Sequence, residues 1–290
     1  MAIAVSRKTR DPKVALRRNL GIVMTYAVLI GLSCVFLIPF FWMLSTSLTD
    51  ASRVIVKNRE WIPHPVVWSN YKKALTVLPF HLFLKNTLII TICCIIGQLL
   101  SASLVAFGFS RMRFPGRDAL FILVLSTMML PAQVTQIPTF ILFTHLRWID
   151  TLKPLIVPAF FGGGAFFIFL LRQFFMTIPS ELEDAARIDG CSPFGIYCNV
   201  ALPLSKPALA TVAVFSFMHH WNDFMGPLIY IQSMENKTLA LGLNSFKGLH
   251  GTEYHLLMAA SVSVLLPVLV IFFCAQKYFV RGIVLSGLKG

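Results

Sequence analysis

Six long stretches of this chain carry no charge, or a single one, and that pattern limits the fold more than any other feature. No Asp, Glu, Lys or Arg lies between Arg18 and Asp50, and uncharged windows follow at residues 86–110, 119–146, 154–171 and 254–276. Residues 207–234 are broken only by Asp223. Each window reaches the roughly 17–25 residues that a helix needs to cross a bilayer. In hydrocarbon every backbone N–H and C=O needs an internal partner, so spans are helices or closed barrels. The strict alternation of barrel strands is absent. The chain therefore reads as an all-α integral membrane protein with six transmembrane helices, at about 20–47, 84–110, 119–145, 154–172, 207–232 and 255–277. Only 13% of its 290 residues are charged, about half the share in a soluble domain. The mean hydropathy is +0.75.

The first window is too long for a signal-peptide core and no small-residue cleavage site follows it, so it is expected to remain as an anchor. Six spans put both termini on one side. Residues 1–19, a basic tail, hold Arg7, Lys8, Arg10, Lys13, Arg17 and Arg18; that side totals fifteen Lys and Arg against ten opposite. The excess places both termini in the cytoplasm. The net charge of +13 is scattered over loops and the tail, which fits anionic lipid headgroups and argues against a nucleic-acid partner. Cys34, Cys93, Cys94 and Cys274 fall in spans, and Cys191 and Cys198 lack the further ligands of a zinc site.

Between the fourth and fifth windows lies a polar island, residues 178–207. Ser180 followed by Glu183 has the spacing of a capping box. Glu183 with Arg187, and Asp184 with Arg187, have helical pairing distances. Gly190 suits a left-handed helix end, and Ser192-Pro193 suits the start of a second helix. Pro203 and Pro207 are expected to close the unit. Helix, glycine turn, helix is thus the expected plan, with Ala185 and Ala186 allowing a partner close to the backbone. Glu181, Glu183, Asp184 and Asp189 make it acidic, unlike a helix lying on an anionic leaflet.

At these residues the chain resembles the EAA motif of permease subunits in binding-protein-dependent ABC importers. The match is Asp184-Ala185-Ala186, Gly190 and Val200-Ala201-Leu202-Pro203, with Asp184 for Glu and Val200 for Ile. Trp61-Ile62-Pro63, Asn70-Tyr71, Trp221-Asn222-Asp223-Phe224 and Arg281-Gly282 with Gly287-Leu288-Lys289-Gly290 resemble the carbohydrate branch, nearest to the shorter permease of a maltose-type system. The resemblance implies a type I ABC importer permease fold in a bacterial or archaeal cytoplasmic membrane. It implies that residues 178–206 are a coupling-helix loop docking on an ATPase through Glu183, Asp184, Ala185, Ala186, Arg187, Asp189 and Gly190, with Leu202 and Pro203 ending the motif. The tail 281–290 would reach between two cytoplasmic ATPase subunits. The loop 232–253, through Asn244, Ser245 and Lys247, would meet an extracytoplasmic sugar-binding protein. A homologous second permease would complete the pathway.

No Gly-x-x-x-x-Gly-Lys-Ser/Thr phosphate loop is present. The expected cofactor list for this chain is therefore empty, with ATP and Mg on partner subunits and no catalytic or metal site. Asp223 is the one acid expected inside a span; such a group is a candidate for the pathway, for helix packing against Asn222 or a neighbouring span, or for a shallow position near the outer surface, about a dozen residues before Glu235. The competing reading is a proton-coupled carrier using His220 and Asp223, with His219 beside them.

Overall fold

The computed structural model describes residues 12–54, 61–248 and 251–287. Arg7, Lys8 and Arg10 of the expected tail, and Leu288-Lys289-Gly290, lie outside the described residues. Helices account for nearly all the regular structure. They are α1 (Pro12–Ser47), α2 (Ser69–Val77), α3 (Phe80–Arg111), α4 (Arg117–Ser126), α5 (Ala132–His145), α6 (Lys153–Ile156), α7 (Ala165–Phe175), α8 (Ser180–Ile188), α9 (Pro193–Ile196), α10 (Leu202–Leu204), α11 (Lys206–Trp221), α12 (Met225–Tyr230), α13 (Leu239–Asn244) and α14 (Tyr254–Gly287). A two-residue ribbon, β1 (Lys247–Gly248) with β2 (Gly251–Thr252), interrupts them.

Four described helical segments are long and apolar enough to cross a membrane: Asn19–Ser47, Phe80–Arg111, Lys153–Phe175 and Tyr254–Cys274. Two bent pairs bring the number to six if each counts as one span. The first expected span, 20–47, matches Asn19–Ser47, and α1 extends it back to Pro12, where a missing N–H is harmless. The expected helix 119–145 is broken: Arg117–Met129 and Ala132–His145 meet at 97°. Pro131 forces Leu130 into extended backbone at φ −79° and ψ 119°, which a helix cannot continue. The expected span 207–232 stops at Trp221, and α12 starts afresh after Asn222-Asp223-Phe224. α14, by contrast, runs past residue 277 to Gly287.

α3 organises the core. Its side chains enter all three clusters of buried apolar residues: Ala102, Ala106 and Phe107 with α7 and the island, Phe80 and Phe83 with α11, α13 and α14, and Ile90 and Cys94 against the segment before α7. The residues that open α2 are tied to the end of α1. Asn70 Nδ2 donates to Ser47 O and Thr49 O at 3.0 and 2.9 Å, and Ser47 Oγ and Tyr71 OH share a hydrogen bond of 2.8 Å. The Asn70 amide thereby satisfies carbonyls at and just beyond the end of α1.

Candidate functional site

The polar island folds as two helical pieces joined at Gly190. α8 closes in a Schellman turn: Gly190 has φ +80°, its N–H bonds Arg187 O at 3.0 Å, and Cys191 N–H bonds Ala186 O at 2.9 Å. The next helix opens as its residues require, with Ser192 Oγ accepting from Gly195 N at 3.1 Å and Pro193 in the first turn. It then runs as one piece over Pro193–Leu204, through a π-helical turn at Tyr197–Ala201. The wider turn answers Pro203, whose ring has no N–H and crowds the carbonyl four residues back. Pro203 therefore does not close the unit. The chain bends by 78° at Ser205, and α11 follows.

The start of α8 corrects the sequence reading. Ser180 is already inside the helix, Pro179 occupies the cap position, and no side chain caps it. The capping box is not formed. Glu183 instead turns inward, 4% exposed, and its Oε1 lies 2.9 Å from Arg111 Nε. The N–H points off the line between them, so the contact is an ion pair more than an aligned hydrogen bond. Arg111 Nη2 also donates to Phe175 O, at the end of α7, and to Ile178 O in the turn that follows it. A full positive charge in a dry setting holds a carboxylate better than one backbone N–H does, which explains the choice. Glu183 is thus removed from the exposed docking face on which it was expected.

The outward face of α8 carries Asp184 paired with Arg187 at 2.9 Å, and Ala185, Asp189 and Gly190 are exposed beside them. Ala186 is half-buried against the core. Leu182 is 45% exposed, Ile188 87% and, on the next helix, Phe194 65%. Leu182, Ala185 and Ile188 follow a spacing of three, so they share one side of α8. The sequence reading missed this apolar strip; its signal was two aliphatic residues in an otherwise charged helix. Leu202 packs partly into the core, and Pro203 is exposed. α8 thus presents an acidic outward face with an apolar strip and is held from behind by the buried Glu183–Arg111 pair.

The sequence profile of the family described as binding-protein-dependent transport system inner membrane component matches residues 98–285, which include the whole island. This chain belongs to that family. It is similar to the arabinooligosaccharides transport system permease protein AraQ of Bacillus subtilis, with 35% identity over 89% of this chain and 92% of that protein. It is also similar to the sn-glycerol-3-phosphate transport system permease protein UgpE of Pectobacterium atrosepticum, with 32% identity over 92% and 97%. In structure it resembles a chain of a bacterial ABC transporter involved in the import of the acidic polysaccharide alginate. The TM-score is 0.79 and the identity 26%, covering 90% of this chain and 97% of that one. The permease fold expected from the sequence is therefore present.

At the opposite end of α3 from the island, the permease gathers the loops before α6 and after α12. Asp150 Oδ1 accepts from Gln232 N, Ser233 N and Ser233 Oγ at 3.0, 2.9 and 2.9 Å, and Asn236 Nδ2 donates to Asp150 O at 2.7 Å. The backbone N–H groups of Ser233 and Gln232 hold the Asp150 carboxyl below its ordinary range. No sequence signal had marked Asp150. The loop 232–253 contains a 3-10 turn at Met234–Asn236, α13 and the small ribbon. Asn244 and Lys247 are exposed, while Ser245 is half-buried and accepts from Lys237 Nζ at 3.1 Å.

Asp223 lies in the break between α11 and α12, and its Oδ1 accepts from Gly226 N at 3.1 Å. Asn222 donates to Met218 O at 2.8 Å. Both side chains serve the helix end, satisfying groups that the break frees. His220 Nε2 is buried with no partner among the described residues.

Proposed function

We propose that this permease is one of two homologous membrane subunits of an ATP-driven importer of oligosaccharides or related polyol compounds. One of two cytoplasmic ATPase subunits docks on α8, and an extracytoplasmic solute-binding protein delivers the cargo. The observation that carries the reading is the exposed strip of Leu182, Ala185 and Ile188 beside the Asp184–Arg187 pair. Apolar groups with a charged rim are how protein interfaces are built. Asp184, Ala185, Arg187, Asp189 and Gly190 form the docking face, with Ala186 behind it and Leu202 and Pro203 ending the motif. The excess of Lys and Arg on the island side supports a cytoplasmic position for this end. Asn244, Ser245 and Lys247 then face the binding protein. The substrate class follows the named relatives. ATP and Mg bind the partner subunits, since this chain has no phosphate loop.

In mechanism the permease converts a movement into a change of access. Closure of the ATPase pair displaces α8, and the helices behind it rock between two arrangements. This needs α8 to interact differently in the two states, because only a differential interaction shifts an equilibrium. The proton-carrier reading has less to rest on: Asp223 is bonded to backbone, and no hydrogen bond among the described residues joins it to His220.

The test is copurification of the tagged permease, expressed with its neighbouring genes, followed by ATPase assays with a binding protein and a sugar panel. A copurifying ATPase stimulated by one liganded binding protein is the expected result, and it names the substrate. A lone polypeptide that moves solute on a proton gradient without ATP overturns the proposal.

A further inference from the structure

α3 is the one candidate span among the described residues that contains no proline. The others carry Pro39, Pro131 with Pro138, Pro154 with Pro158, Pro203 with Pro207, and Pro267. Its 32 residues form one unbroken helix, about 48 Å long at 1.5 Å per residue. That exceeds the roughly 30 Å of a hydrocarbon core. A bent helix can absorb a displacement at its break, whereas an unbroken one moves as a body.

Both ends of this rod are tied by buried or half-buried polar contacts. At the island end, Ser103, Phe107 and Arg111 are four residues apart and share one face. Ser103 Oγ and Tyr197 OH share a buried hydrogen bond of 2.7 Å, and the Phe107 ring lies 5.4 Å from that of Tyr197. Arg111 holds Glu183 and two carbonyls, as described. One face of α3 therefore grips both helical pieces of the island. At the far end Asn86 Nδ2 donates to Glu235 O at 2.7 Å and Lys237 O at 3.0 Å. Thr87 Oγ1, buried, accepts from Leu239 N at 2.9 Å. The buried side chains of Asn86, Thr87, Ser103 and Glu183 cannot be left unpaired without cost, so these joints resist slipping.

We propose that α3 is the strut that carries displacement of the island to the 232–253 loop at the opposite membrane face, with Arg111 and Asn86 as its two positioning residues. This rests on the docking reading of α8. Coupling between the two faces then runs through one rigid element, and by linkage it acts equally in both directions.

The experiment uses the whole complex in proteoliposomes and measures basal ATPase, its stimulation by liganded binding protein, uptake, and binding-protein affinity with and without nucleotide. In Arg111→Lys the charge facing Glu183 survives, but a single ammonium cannot also reach both carbonyls. We expect the ATPase to copurify while stimulation falls at least tenfold. The nucleotide-dependent change in binding-protein affinity, about 40 Å away along α3, should collapse with it. A purely local role for Arg111 does not move that affinity. In Asn86→Leu basal turnover is expected to be unchanged, and stimulation to fall by a similar factor. Stimulation within twofold of the parent complex in either assembled variant overturns the strut. If Arg111→Lys fails to assemble, Asn86→Leu decides alone. If no ATPase copurifies with the unmodified permease, it is the docking reading that has failed.

Discussion

α3 and the segment packed against it, Lys153–Phe175, are both apolar enough to cross a membrane, yet one is a rod and the other is broken. The second starts as α6, tightens into a 3-10 turn at Val157–Phe160, passes through Gly162, Gly163 and Gly164 at φ of +91°, +62° and +92°, and resumes as α7. Irregular backbone at membrane depth survives only where protein satisfies it, and here α3 does so. Cys94 Sγ donates to Leu155 O at 3.2 Å, and Ser101 Oγ shares its proton between Gly97 O and Ala159 O. Gly163 approaches so near that an added Cβ would lie 2.7 Å from Ala102 Cβ and 2.9 Å from Ala102 N. The contrast teaches that regularity in one helix supports irregularity in its neighbour. Apolar composition determines that both are buried in the membrane; proline and glycine determine which one can bend.

The sharpest way to break this contrast is to put a break into α3. Leu104 faces outward, half exposed, so Leu104→Pro removes little packing. It deletes one backbone bond and drives the ring against the carbonyl four residues back, at a cost of about 3–4 kcal/mol. The expected result is a large fall in the unfolding temperature of the purified permease and loss of uptake; wild-type stability would show that α3 need not be unbroken. Gly163→Ala attacks the other partner. Its left-handed backbone costs an alanine about 1–2 kcal/mol, and the contact with Ala102 N has no flexible end to give way. Together about 3 kcal/mol of destabilisation is expected, read from denaturant unfolding in detergent. An unaffected midpoint would mean that the two segments are not packed so closely.

Glu183→Ala tests the joint between α3 and the island. Removing one member of a buried pair usually costs about 3–5 kcal/mol because the other charge is stranded. Arg111 keeps two carbonyl acceptors and some exposure, so about 2 kcal/mol is the expected loss. Limited proteolysis should then show cleavage appearing first near α8. Resistance equal to the parent protein would mean that the pair does not hold the island.

What was legible in the sequence follows from how local each cause is. Uncharged windows marked every apolar segment, because burial in lipid is a property of composition. Gly190 and Ser192-Pro193 foretold the island's turn and second helix, because their effects reach only three or four residues. Leu130-Pro131 carried a warning of the break in α4–α5, and the uniform window around it outweighed that warning. Glu183 could not be placed, since its partner Arg111 is 72 positions earlier in the chain. The ser-to-glu spacing of a capping box was present, and a distant guanidinium outcompeted it. Asp150 was equally hidden, its acceptors' partners lying more than eighty residues away. Ion pairs and loop latches between remote segments are decided by packing, which periodicity does not encode.

The smallest stability effect is expected one residue from Glu183, and its smallness is the point. Asp184 is exposed and pairs only with Arg187 on its own helix. Such pairs contribute between about 0 and 1 kcal/mol, so Asp184→Ala should leave the unfolding midpoint within about half a kcal/mol of the parent value. If the outward face of α8 docks an ATPase, the same substitution should still weaken copurification of that subunit and lower uptake, since rim charges act on association more than on fold. Glu183→Ala and Asp184→Ala would then separate cleanly, the first losing stability before docking and the second losing docking alone. Equal stability losses in the two variants would mean that α8 does not present an inner and an outer face, and the division between anchor and docking surface would fall.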